Sequence, residues 1–341
     1  MNPISASIAL AFAQRQALFS RCQTENTTCY RLFHGTNEGL SGVTVDRYGD
    51  LYLIQSFHTP LGVEQYQQIV TATEQQLGQS VLWVYNDRSG NNSRIDTAQQ
   101  DPALRPVDAA LADHEGLELG VRYRVRGRHQ GQDPLLFLDL RNARRYVLEN
   151  SQGKDVLNLF SYTCGVGLCA AKGGAREVVN VDFAQSALAV GKENAELNGF
   201  PDSQISFVQS DFFPACRQLA GLPVAARRGK RLPSYPRLAA RQFDLVFLDP
   251  PRYASSAFGT VDLLRDYQSL LKPAILATRD DGQLICCNNV AQVDMDSWRA
   301  LVLRCAEKLG RPVRAVEVIS PEEDFPSTDG QPPLKTLVLQ F

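Results

Sequence analysis

Residues 155–167, DVLNLFSYTCGVG, decide the fold class of this chain. The apolar residues at the start of the segment have no helical spacing and predict a strand that is buried on both faces. Two glycines follow and lead into the apolar segment GLCAA, which predicts a helix packed on the strand. A buried strand, a glycine-containing turn and a helix predict an α/β unit in which a ligand can approach the turn.

The same pattern continues along the rest of the chain. The segments EVVNVD, QISFVQ, FDLVFL and GQLICC predict four further strands, and residues 260–277 and 295–310 predict helices. Strands that alternate with helices form a mostly parallel sheet covered on both faces. The last two strands have no helix between them and predict an antiparallel edge. We therefore expect residues 131–341 to form an α/β domain with a mostly parallel, seven-stranded sheet.

The upstream part of the chain predicts a different organisation. Residues 1–27 predict a single amphipathic helix. Residues 30–57 alternate apolar and polar positions and are interrupted by glycines, which predicts a β-meander. A helical segment, another strand and two short strands follow, so residues 28–130 predict a small α+β domain.

The composition excludes several classes of protein. Of the 341 residues, 44% are hydrophobic and 21% are charged, which allows substantial cores and gives no sign of wholesale disorder. With a net charge of −2, any nucleic-acid binding would depend on local basic patches. No apolar run is long enough for a membrane span and no signal peptide is evident, so we expect a cytoplasmic protein. Eight cysteines without CxxC spacing and four histidines make a metal site unexpected.

Residues 220–241 form a basic insertion between the third and fourth strands of the predicted sheet. The segment contains three prolines and no acidic residue. Its basic residues are Arg227, Arg228, Lys230, Arg231, Arg237 and Arg241. A solvated surface loop and an RNA-contacting arm both fit this composition. Because the insertion precedes a strand, we expect it at the amino edge of the sheet, away from a ligand at the carboxyl edge.

The ends of the first three strands carry residues suited to a nucleoside. Gly165 and Gly167 would let the backbone approach a ligand at a helix N-terminus. Asp182, at the end of the second strand, can accept hydrogen bonds from both hydroxyls of a ribose. Asp211, at the end of the third, can accept from an adenine amino group, with Phe212 against the ring. Either acid could instead cap the following helix.

The motif LDPPRY, residues 248–253, follows the fourth strand. Pro250 and Pro251 cannot continue a β-ladder, so they predict a rigid turn. Its free carbonyls and the Asp249 carboxylate would then face the cleft and could hold a planar base. A plain surface turn is the alternative.

The chain resembles a known family, the class I S-adenosylmethionine-dependent ribosomal RNA methyltransferases of the large-subunit cytosine-5 and guanine-N7 group. The segments that carry the resemblance are YRLFHGTNEGLSGVTVDRYGD, LFLDLRNAR, VLNLFSYTCGVGLCAAKGGAREVVNVDFA, NAELNGF and FDLVFLDPPRY. The resemblance extends from about residue 28 to the end. It implies a Rossmann-like methyltransferase domain behind the small α+β domain, S-adenosylmethionine as cofactor, ribosomal RNA as partner and a homodimer.

The resemblance also assigns residues to the cofactor. Those expected to bind it are Phe137, Asp139, Arg141, Phe160, Ser161, Tyr162, Gly165, Asp182, Phe183, Asp211, Phe212 and Asp249. The first three would close over the cofactor, and Asp249 would lie near the methyl donor. The sequence departs from the family at Cys164, usually glycine, and at Leu140, usually glutamine. It begins just after the point where the PUA-like RNA-binding module of many relatives ends, so we expect other residues to hold the RNA, or a smaller substrate.

The segment VRYRVRGRH, residues 121–129, offers one surface for RNA. Alternate residues of a strand point to one face, and a row of guanidiniums suits a phosphate backbone. The candidates for RNA binding are Arg122, Arg124, Arg126 and Arg128, with Arg252 of the LDPPRY motif. The row of arginines could instead pair with acids such as Glu115 and Glu118.

The end of the fifth strand, LICCNN at residues 284–289, bears on the reaction. Methylation of cytosine C5 needs a thiolate that adds to C6, whereas guanine N7 has an in-plane lone pair and mainly needs orientation. In the cytosine-5 members of the family the thiol lies seven residues beyond the leading glycine of this strand, and from Gly282 that position is Asn289. Cys286 and Cys287 lie inside the strand, where core packing is their simplest role.

We therefore expect methyl transfer to a base nitrogen, with guanine N7 preferred. The catalytic candidates are Asp249, Pro250, Pro251, Tyr253, Asn288 and Asn289. The proline turn and its carboxylate would position the base, the tyrosine would stack on it, and the asparagines would read its edge unless they only cap the strand. Two alternatives remain: cytosine-5 methylation by Cys286 or Cys287, and a non-catalytic RNA-binding protein that keeps the cofactor fold.

Overall fold

The computed structural model describes residues 2–90, 101–128, 134–226, 229 and 231–341. The chain forms two compact units. The first comprises Met1–Arg141 and Glu322–Thr328, and the second comprises Asn142–Pro321 and Asp329–Phe341. The domain boundary expected at residues 130/131 lies outside the described residues.

The first unit contains a four-stranded sheet, a separate hairpin and short helices. Its strands are β1 (Cys29–His34), β2 (Val43–Tyr48), β3 (Leu51–Ser56), β4 (Leu82–Asp87), β5 (His114–Glu118) and β6 (Val121–Val125). Its helices are α1 (Pro3–Gln14), α2 (Gln16–Thr24), α3 (Gly35–Glu38), α4 (Val63–Leu77) and α5 (Asp108–Leu111), with 3₁₀ turns at Pro102–Leu104 and Leu138–Leu140. The sheet order is β1-β2-β3-β4, in which only β3 and β4 pair in parallel. The strands β5 and β6 form the hairpin.

The N-terminal segment contains two helices where the sequence predicted one. The break lies at Arg15, whose backbone leaves the helical region (φ −95°, ψ 9°). The buried Arg15 guanidinium pairs with Glu38 and donates to the Ala11 carbonyl at 3.2 Å. On either side of the break, Ile8 and Leu18 are fully buried in the core of the first unit. Each buried aliphatic side chain of this size contributes roughly 1.5–3 kcal/mol, so the segment is an integral part of this core.

The second unit is an α/β domain. Its strands are β7 (Asp155–Leu159), β8 (Glu177–Asp182), β9 (Ile205–Gln209), β10 (Phe243–Leu248), β11 (Tyr253–Ser255), β12 (Thr260–Asp262), β13 (Thr278–Asn288), β14 (Ala315–Ile319) and β15 (Lys335–Gln340). Its helices are α6 (Arg141–Asn150), which starts at the unit boundary, α7 (Gly165–Lys172), α8 (Gln185–Leu197), α9 (Phe212–Leu219), α10 (Gln268–Ala277) and α11 (Met295–Lys308). The helix α7 packs on α8, and α10 packs on both α9 and α11.

Seven of these strands form one sheet in the order β14-β15-β13-β10-β7-β8-β9. The strands β13, β10, β7, β8 and β9 are parallel, and β15 runs antiparallel to both of its neighbours. This arrangement confirms the predicted mostly parallel sheet with an antiparallel edge. Because five strands run the same way, the residues that follow them lie along one carboxyl edge.

The segment 260–277 differs from the single helix that its spacing predicted. Its first residues form β12, which pairs antiparallel with β11, and α10 begins only at Gln268. Val261 is buried in the core of the second unit, and β-branched residues such as Thr260 and Val261 favour a strand. The LDPPRY motif therefore leads into a small β-hairpin.

The amino edge of the large sheet is tied together by ion pairs. The Arg279 guanidinium bridges Asp155, at 2.9 Å, and Asp244. Arg176 also pairs with Asp155, at 2.6 Å. The hydrogen bond from Arg176, followed by that from Arg279, holds the pKa of the Asp155 carboxyl below its usual value despite some desolvation.

Within the described ranges, none of the helices combines the length and the apolar character that a membrane crossing requires.

Candidate functional site

The loop that follows β7 has an unusual backbone. Phe160, Tyr162 and Cys164 all adopt left-handed conformations, with φ of 57°, 50° and 65°. For residues other than glycine this region costs roughly 1–2 kcal/mol each. Such residues cluster at ligand clamps. The loop ends at Gly165, the first residue of α7.

Cys164 occupies the position where the family resemblance leads us to expect glycine. Its positive φ is the conformation that glycine adopts most easily. Its thiol is fully buried, and a Cβ added at Gly191 of α8 would lie only 2.5 Å from the sulfur. Burial raises the pKa of the Cys164 thiol. The cysteine thus keeps the glycine-like turn, and its inert thiol occupies the space that Gly191 leaves.

Asp182, the last residue of β8, organises this loop. One of its carboxylate oxygens accepts from the Tyr162 N–H and the other from the Ala184 N–H, both at 2.8 Å. The side chain is largely buried, and burial raises its pKa although these backbone donors act in the opposite direction. Each carboxylate oxygen can accept a second hydrogen bond, so Asp182 can still bind a ligand hydroxyl.

A cavity of about 120 Å³ opens between the ends of β7, β8 and β9 and the β11–β12 hairpin. Its lining residues are Phe160, Val181, Asp182, Phe183, Ser210, Asp211, Phe212, Phe213, Pro251, Ala254, Ser255, Ser256, Gly259 and Val261. The rings of Phe160 and Phe212 stack, with 4.8 Å between the ring centres and an interplanar angle of 16°. Asp211 caps α9 by accepting from the Phe213 N–H at 2.8 Å.

This cavity brings together five of the residues expected at the cofactor, namely Phe160, Asp182, Phe183, Asp211 and Phe212. Two carboxylates can accept from hydroxyl and amino groups, and aromatic rings can pack on a purine. The residues therefore fit an adenosine group, and Asp211 serves as a helix cap as well. The buried Ser161 lies in the adjoining loop, where its N–H donates to the Val181 carbonyl at 3.0 Å.

The hairpin side of the cavity was not predicted. Ser255, Ser256 and Gly259 line it because residues 253–255 turn back and pair with residues 260–262. The β-branched residues Thr260 and Val261 were the sequence signal for a strand at this position, but the spacing of the segment is also compatible with a helix.

The LDPPRY turn lies at the end of β10. Asp249 is partly buried and Pro250 is buried, whereas Pro251 and Arg252 are exposed. Tyr253 is 64% exposed and can stack on a planar group. The residues expected to hold the base therefore form a turn beside the cavity, and one of them, Pro251, lines the cavity itself.

The two cysteines of LICCNN are core residues. Cys286 and Cys287 are fully buried in β13. Burial raises the pKa of the Cys286 thiol to about 12. The Cys287 sulfur lies 3.5 Å from the Thr336 hydroxyl of the neighbouring strand β15. This placement agrees with packing as their simplest role.

The two asparagines that follow are placed differently from each other. Asn288 was expected to read the base edge, but it is fully buried, and its Oδ1 accepts from the Val290 N–H at 3.0 Å. It therefore closes the turn at the strand end, while Asn289 is exposed. Lys335, which no local pattern in the sequence indicated, is buried beside this turn. Its Nζ donates to the Val290 and Pro333 carbonyls, both at 3.0 Å.

The remaining cofactor candidates lie in the first unit. Phe137 is 46% exposed and Asp139 is partly exposed. Arg141 is fully buried: its guanidinium pairs with Asp324 at 2.6 Å and donates to the Cys29 carbonyl at 3.0 Å. Buried ion pairs of this kind are costly to break. The Arg141 guanidinium is therefore held by groups of the first unit, and the expected contact between it and a cofactor is not supported.

The arginine row of β6 is matched by acids. Arg122 pairs with Glu115 at 2.6 Å, and Arg124 lies 3.7 Å from the same carboxylate. Further along the row, Arg126 forms an ion pair with Asp113 at 2.9 Å, and the Arg128 guanidinium donates to the Tyr85 carbonyl at 2.7 Å. Glu118, the other acid considered, is buried. The row therefore presents less uncompensated charge than its sequence indicates.

The basic insertion reaches closer to the cavity than expected. Its last arginine, Arg241, pairs with Glu177 at 2.9 Å at the amino edge of the sheet, as expected. In the middle of the insertion, however, the Tyr235 ring packs edge-on against the ring of Phe258, with 5.8 Å between the ring centres. Phe258 lies in the β11–β12 turn. Arg227, Arg228 and Lys230 lie outside the described residues.

No group of three or more histidine, cysteine, aspartate or glutamate side chains in the described part of the chain is arranged to hold a metal ion.

Comparisons with known proteins identify the family of the chain. A family model described as S-adenosylmethionine-dependent methyltransferase matches residues 30–340. The protein named Ribosomal RNA large subunit methyltransferase I of Aeromonas hydrophila is 29% identical over an alignment of 342 residues. The alignment covers 97% of this chain and 79% of that protein. The protein of the same name from Shigella flexneri is 27% identical, covering 94% of this chain and 78% of its own length.

The solved structure of SMU.776 in complex with SAH superposes with a TM-score of 0.76 at 22% identity, covering 99% of this chain and 82% of that chain. At this identity the likeness shows the fold. The family match, in contrast, spans nearly the whole sequence. The chain therefore belongs to the S-adenosylmethionine-dependent methyltransferases, and S-adenosylmethionine is its methyl donor.

Proposed function

We propose that this protein methylates a base nitrogen of RNA, with N7 of a guanine in large-subunit ribosomal RNA as the preferred target. The name of the two relatives supports the choice of RNA. The observation that carries the choice of atom is the end of β13, where both thiols are buried and an asparagine is exposed.

The chemistry matches what these residues offer. When bound, the cofactor supplies an electrophilic methyl group on a sulfonium. The in-plane lone pair of guanine N7 needs no nucleophile from the protein and loses no proton, so the protein acts by orientation and proximity. Asp249 accepts from the N1–H and amino group of the guanine, the exposed Tyr253 stacks on the ring, and the Asn289 amide donates to O6.

The cytosine-5 alternative requires a reactive thiolate at the base. Burial raises the pKa of the Cys286 thiol far above neutral pH, so the reactive thiolate is strongly disfavoured at pH 7. Cys287 is equally buried. Neither thiol is available to a base unless the end of β13 rearranges.

The non-catalytic alternative rested on two departures from the family, Cys164 and Leu140. Cys164 adopts the backbone conformation of the glycine that it replaces, so the turn at the cofactor is retained. Leu140 is buried in the first unit. Calorimetric titration with S-adenosylmethionine tests this alternative, and we expect binding.

The test is a methyl-transfer assay on ribosomal RNA purified from a strain that lacks the gene. We expect the wild-type protein to transfer label to large-subunit RNA. Asn289→Ala should lower kcat/KM about tenfold or more, since one lost hydrogen bond to a base costs about 1–3 kcal/mol. Cys287→Ser, two residues earlier, should retain turnover. Loss of activity in Cys287→Ser with full activity in Asn289→Ala would refute the assignment.

Three expectations from the resemblance form part of the same proposal. Phe137 and Asp139 close over the cofactor, the chain divides functionally near residue 130, and the protein is a homodimer. Sedimentation analysis tests the homodimer, and a lower cofactor affinity in Phe137→Ala tests the closure.

A further inference from the structure

A second concave surface lies in the second unit, on the side of α9, α10 and α11. It is an open groove of about 590 Å³. Its charged and aromatic lining consists of Arg217, Lys272, Lys308, Asp266, Phe213 and Phe258. Three cations against one acid make the groove electropositive, although the whole chain has a net charge of −2.

The two lysines are available to a ligand. Both side chains are exposed, and among the described residues neither Lys272 nor Lys308 forms an ion pair. Arg217 uses its Nε to donate to the Pro223 carbonyl at 2.7 Å, which orients its guanidinium at the wall of the groove. These cations are therefore not neutralised by neighbouring acids, unlike the arginines of β6.

The groove adjoins the cofactor cavity. Phe213 lines both. Its ring packs against Gly259, where an added Cβ would lie 2.3 Å from a ring atom, and Gly259 is also part of the cavity wall. Phe258, the preceding residue, lines the groove. The groove and the cavity therefore meet at consecutive residues of the hairpin turn, Phe258 and Gly259. A ligand strand that lies in the groove would reach the cavity wall at this point.

The basic insertion extends this surface. Tyr235 packs edge-on against Phe258 at 5.8 Å, and the Arg237 guanidinium lies 4.8 Å from the centre of the Tyr235 ring. Arg237 itself is exposed. Aromatic rings and exposed cations therefore follow one another from the insertion to the groove.

We propose that this groove binds the single-stranded RNA that flanks the target nucleotide, with phosphates on Lys272, Lys308 and Arg217 and a base against Phe258. The inference rests on the proposed function, because it names the surface that holds the RNA for that reaction. Cations that follow a backbone and aromatic rings that stack on bases are the combination that binds single-stranded nucleic acids. An acidic protein partner would use the cations but would leave the half-buried rings of the groove without bases to stack on.

The test compares two variants with the same change in charge. Lys272→Gln/Lys308→Gln neutralises the groove. Lys192→Gln/Arg299→Gln neutralises two exposed cations outside its lining. Binding of a fluorescein-labelled 20-nucleotide oligouridylate is measured by anisotropy over a range of salt concentrations.

For single strands, each phosphate contact contributes about 0.7 to the slope of log affinity against log salt. The groove variant should therefore show a slope about 1.4 smaller in magnitude than wild type, and an affinity at least tenfold lower at low salt. The control variant should keep the wild-type slope. Calorimetry with S-adenosylmethionine should give the wild-type affinity for both variants, because neither changes the cofactor cavity.

The outcomes separate this inference from the proposed function. If the groove variant binds oligouridylate as the control does, the groove assignment is wrong, whatever the wild-type protein methylates. If the groove variant loses binding as expected but wild-type protein labels no RNA, the RNA surface stands and the proposed reaction is wrong.

Discussion

Substitution of Asp182 by asparagine tests the cofactor site most closely. In the structure each oxygen of this carboxylate accepts from one backbone N–H, those of Tyr162 and Ala184, at 2.8 Å. In Asp182→Asn one oxygen becomes an amino group, so one of these two N–H groups loses its acceptor. An unsatisfied buried donor costs about 1–3 kcal/mol, and we expect the free energy of unfolding to fall by that amount.

The same substitution should also weaken cofactor binding. A carboxylate that accepts from a ribose hydroxyl makes a charge-assisted hydrogen bond worth about 1.5–3 kcal/mol. Loss of one such bond raises the dissociation constant for S-adenosylmethionine about tenfold to a hundredfold. Calorimetric titration measures this affinity. The matched control is Asp202→Asn, a substitution at an exposed carboxylate, for which we expect wild-type affinity.

The pH dependence provides a second readout on Asp182. Burial raises its pKa in the folded state above the ordinary value near 3.8. A raised carboxyl pKa contributes stability that is present below the unfolded pKa and is lost as the pH rises through the folded pKa. Asp182→Asn should therefore destabilise the protein more at about pH 4 than at about pH 7. If Asp182→Asn binds S-adenosylmethionine as tightly as Asp202→Asn does, the placement of the ribose at Asp182 is wrong.

Three further predictions concern the neighbouring elements. Gly191→Ala places a Cβ 2.5 Å from the Cys164 sulfur and should lower the free energy of unfolding, measured with denaturant, by about 1–3 kcal/mol. Adding Cys164→Gly should restore most of this loss. An equal loss in both backgrounds would show that the two positions are not coupled. Lys335→Met removes the donor that ties the Val290 and Pro333 carbonyls together beside the exposed asparagine, although the Val290 carbonyl still accepts from the Val293 N–H. It should therefore lower kcat on RNA about tenfold by misplacing this turn, at unchanged affinity for S-adenosylmethionine, with partial recovery in Lys335→Arg. Full activity in Lys335→Met would remove its positioning role. Cys286→Ser buries a hydroxyl and should lower stability by about 1–3 kcal/mol while methyl transfer stays within about twofold of wild type, and complete loss of transfer with a folded protein would restore the thiol mechanism.

The sheet of the second unit could be predicted from the sequence because its signals are local. The strands β7, β8 and β10 are mostly apolar, with Asn158, Asn180 and Asp244 as internal polar residues, and a strand buried on both faces requires a largely apolar pattern. The carboxyl ends of parallel strands share an edge, so the order of the strands alone indicated that Asp182 and Asp211 would lie near each other. Both do line one cavity.

The side chains that the sequence misplaced depend on distant partners. The buried guanidinium of Arg141 pairs with Asp324, 183 residues away, and no pattern around Arg141 shows this pairing. Asn288 is buried where β13 pairs with Lys335 of β15, whereas its local sequence shows only a polar pair at a strand end.

The hairpin and the insertion were missed for a similar reason. Thr260–Asp262 has spacing compatible with a helix, and its pairing with Tyr253–Ser255 decides otherwise. The insertion was placed by the direction of the strand that follows it, which correctly positions Arg241. The contact between Tyr235 and Phe258 brings the middle of the insertion to the hairpin turn, next to Gly259 of the cavity wall, and only the folded structure reveals it.

The central claim is that the methyl group goes to a base nitrogen without a protein nucleophile. The most direct measurement is mass spectrometry of nucleosides from large-subunit ribosomal RNA that the wild-type protein has methylated with an isotopically labelled donor. We predict labelled 7-methylguanosine. Labelled 5-methylcytidine, together with a covalent adduct on RNA that contains 5-fluorocytosine, would contradict the account and return the buried cysteines to the reaction.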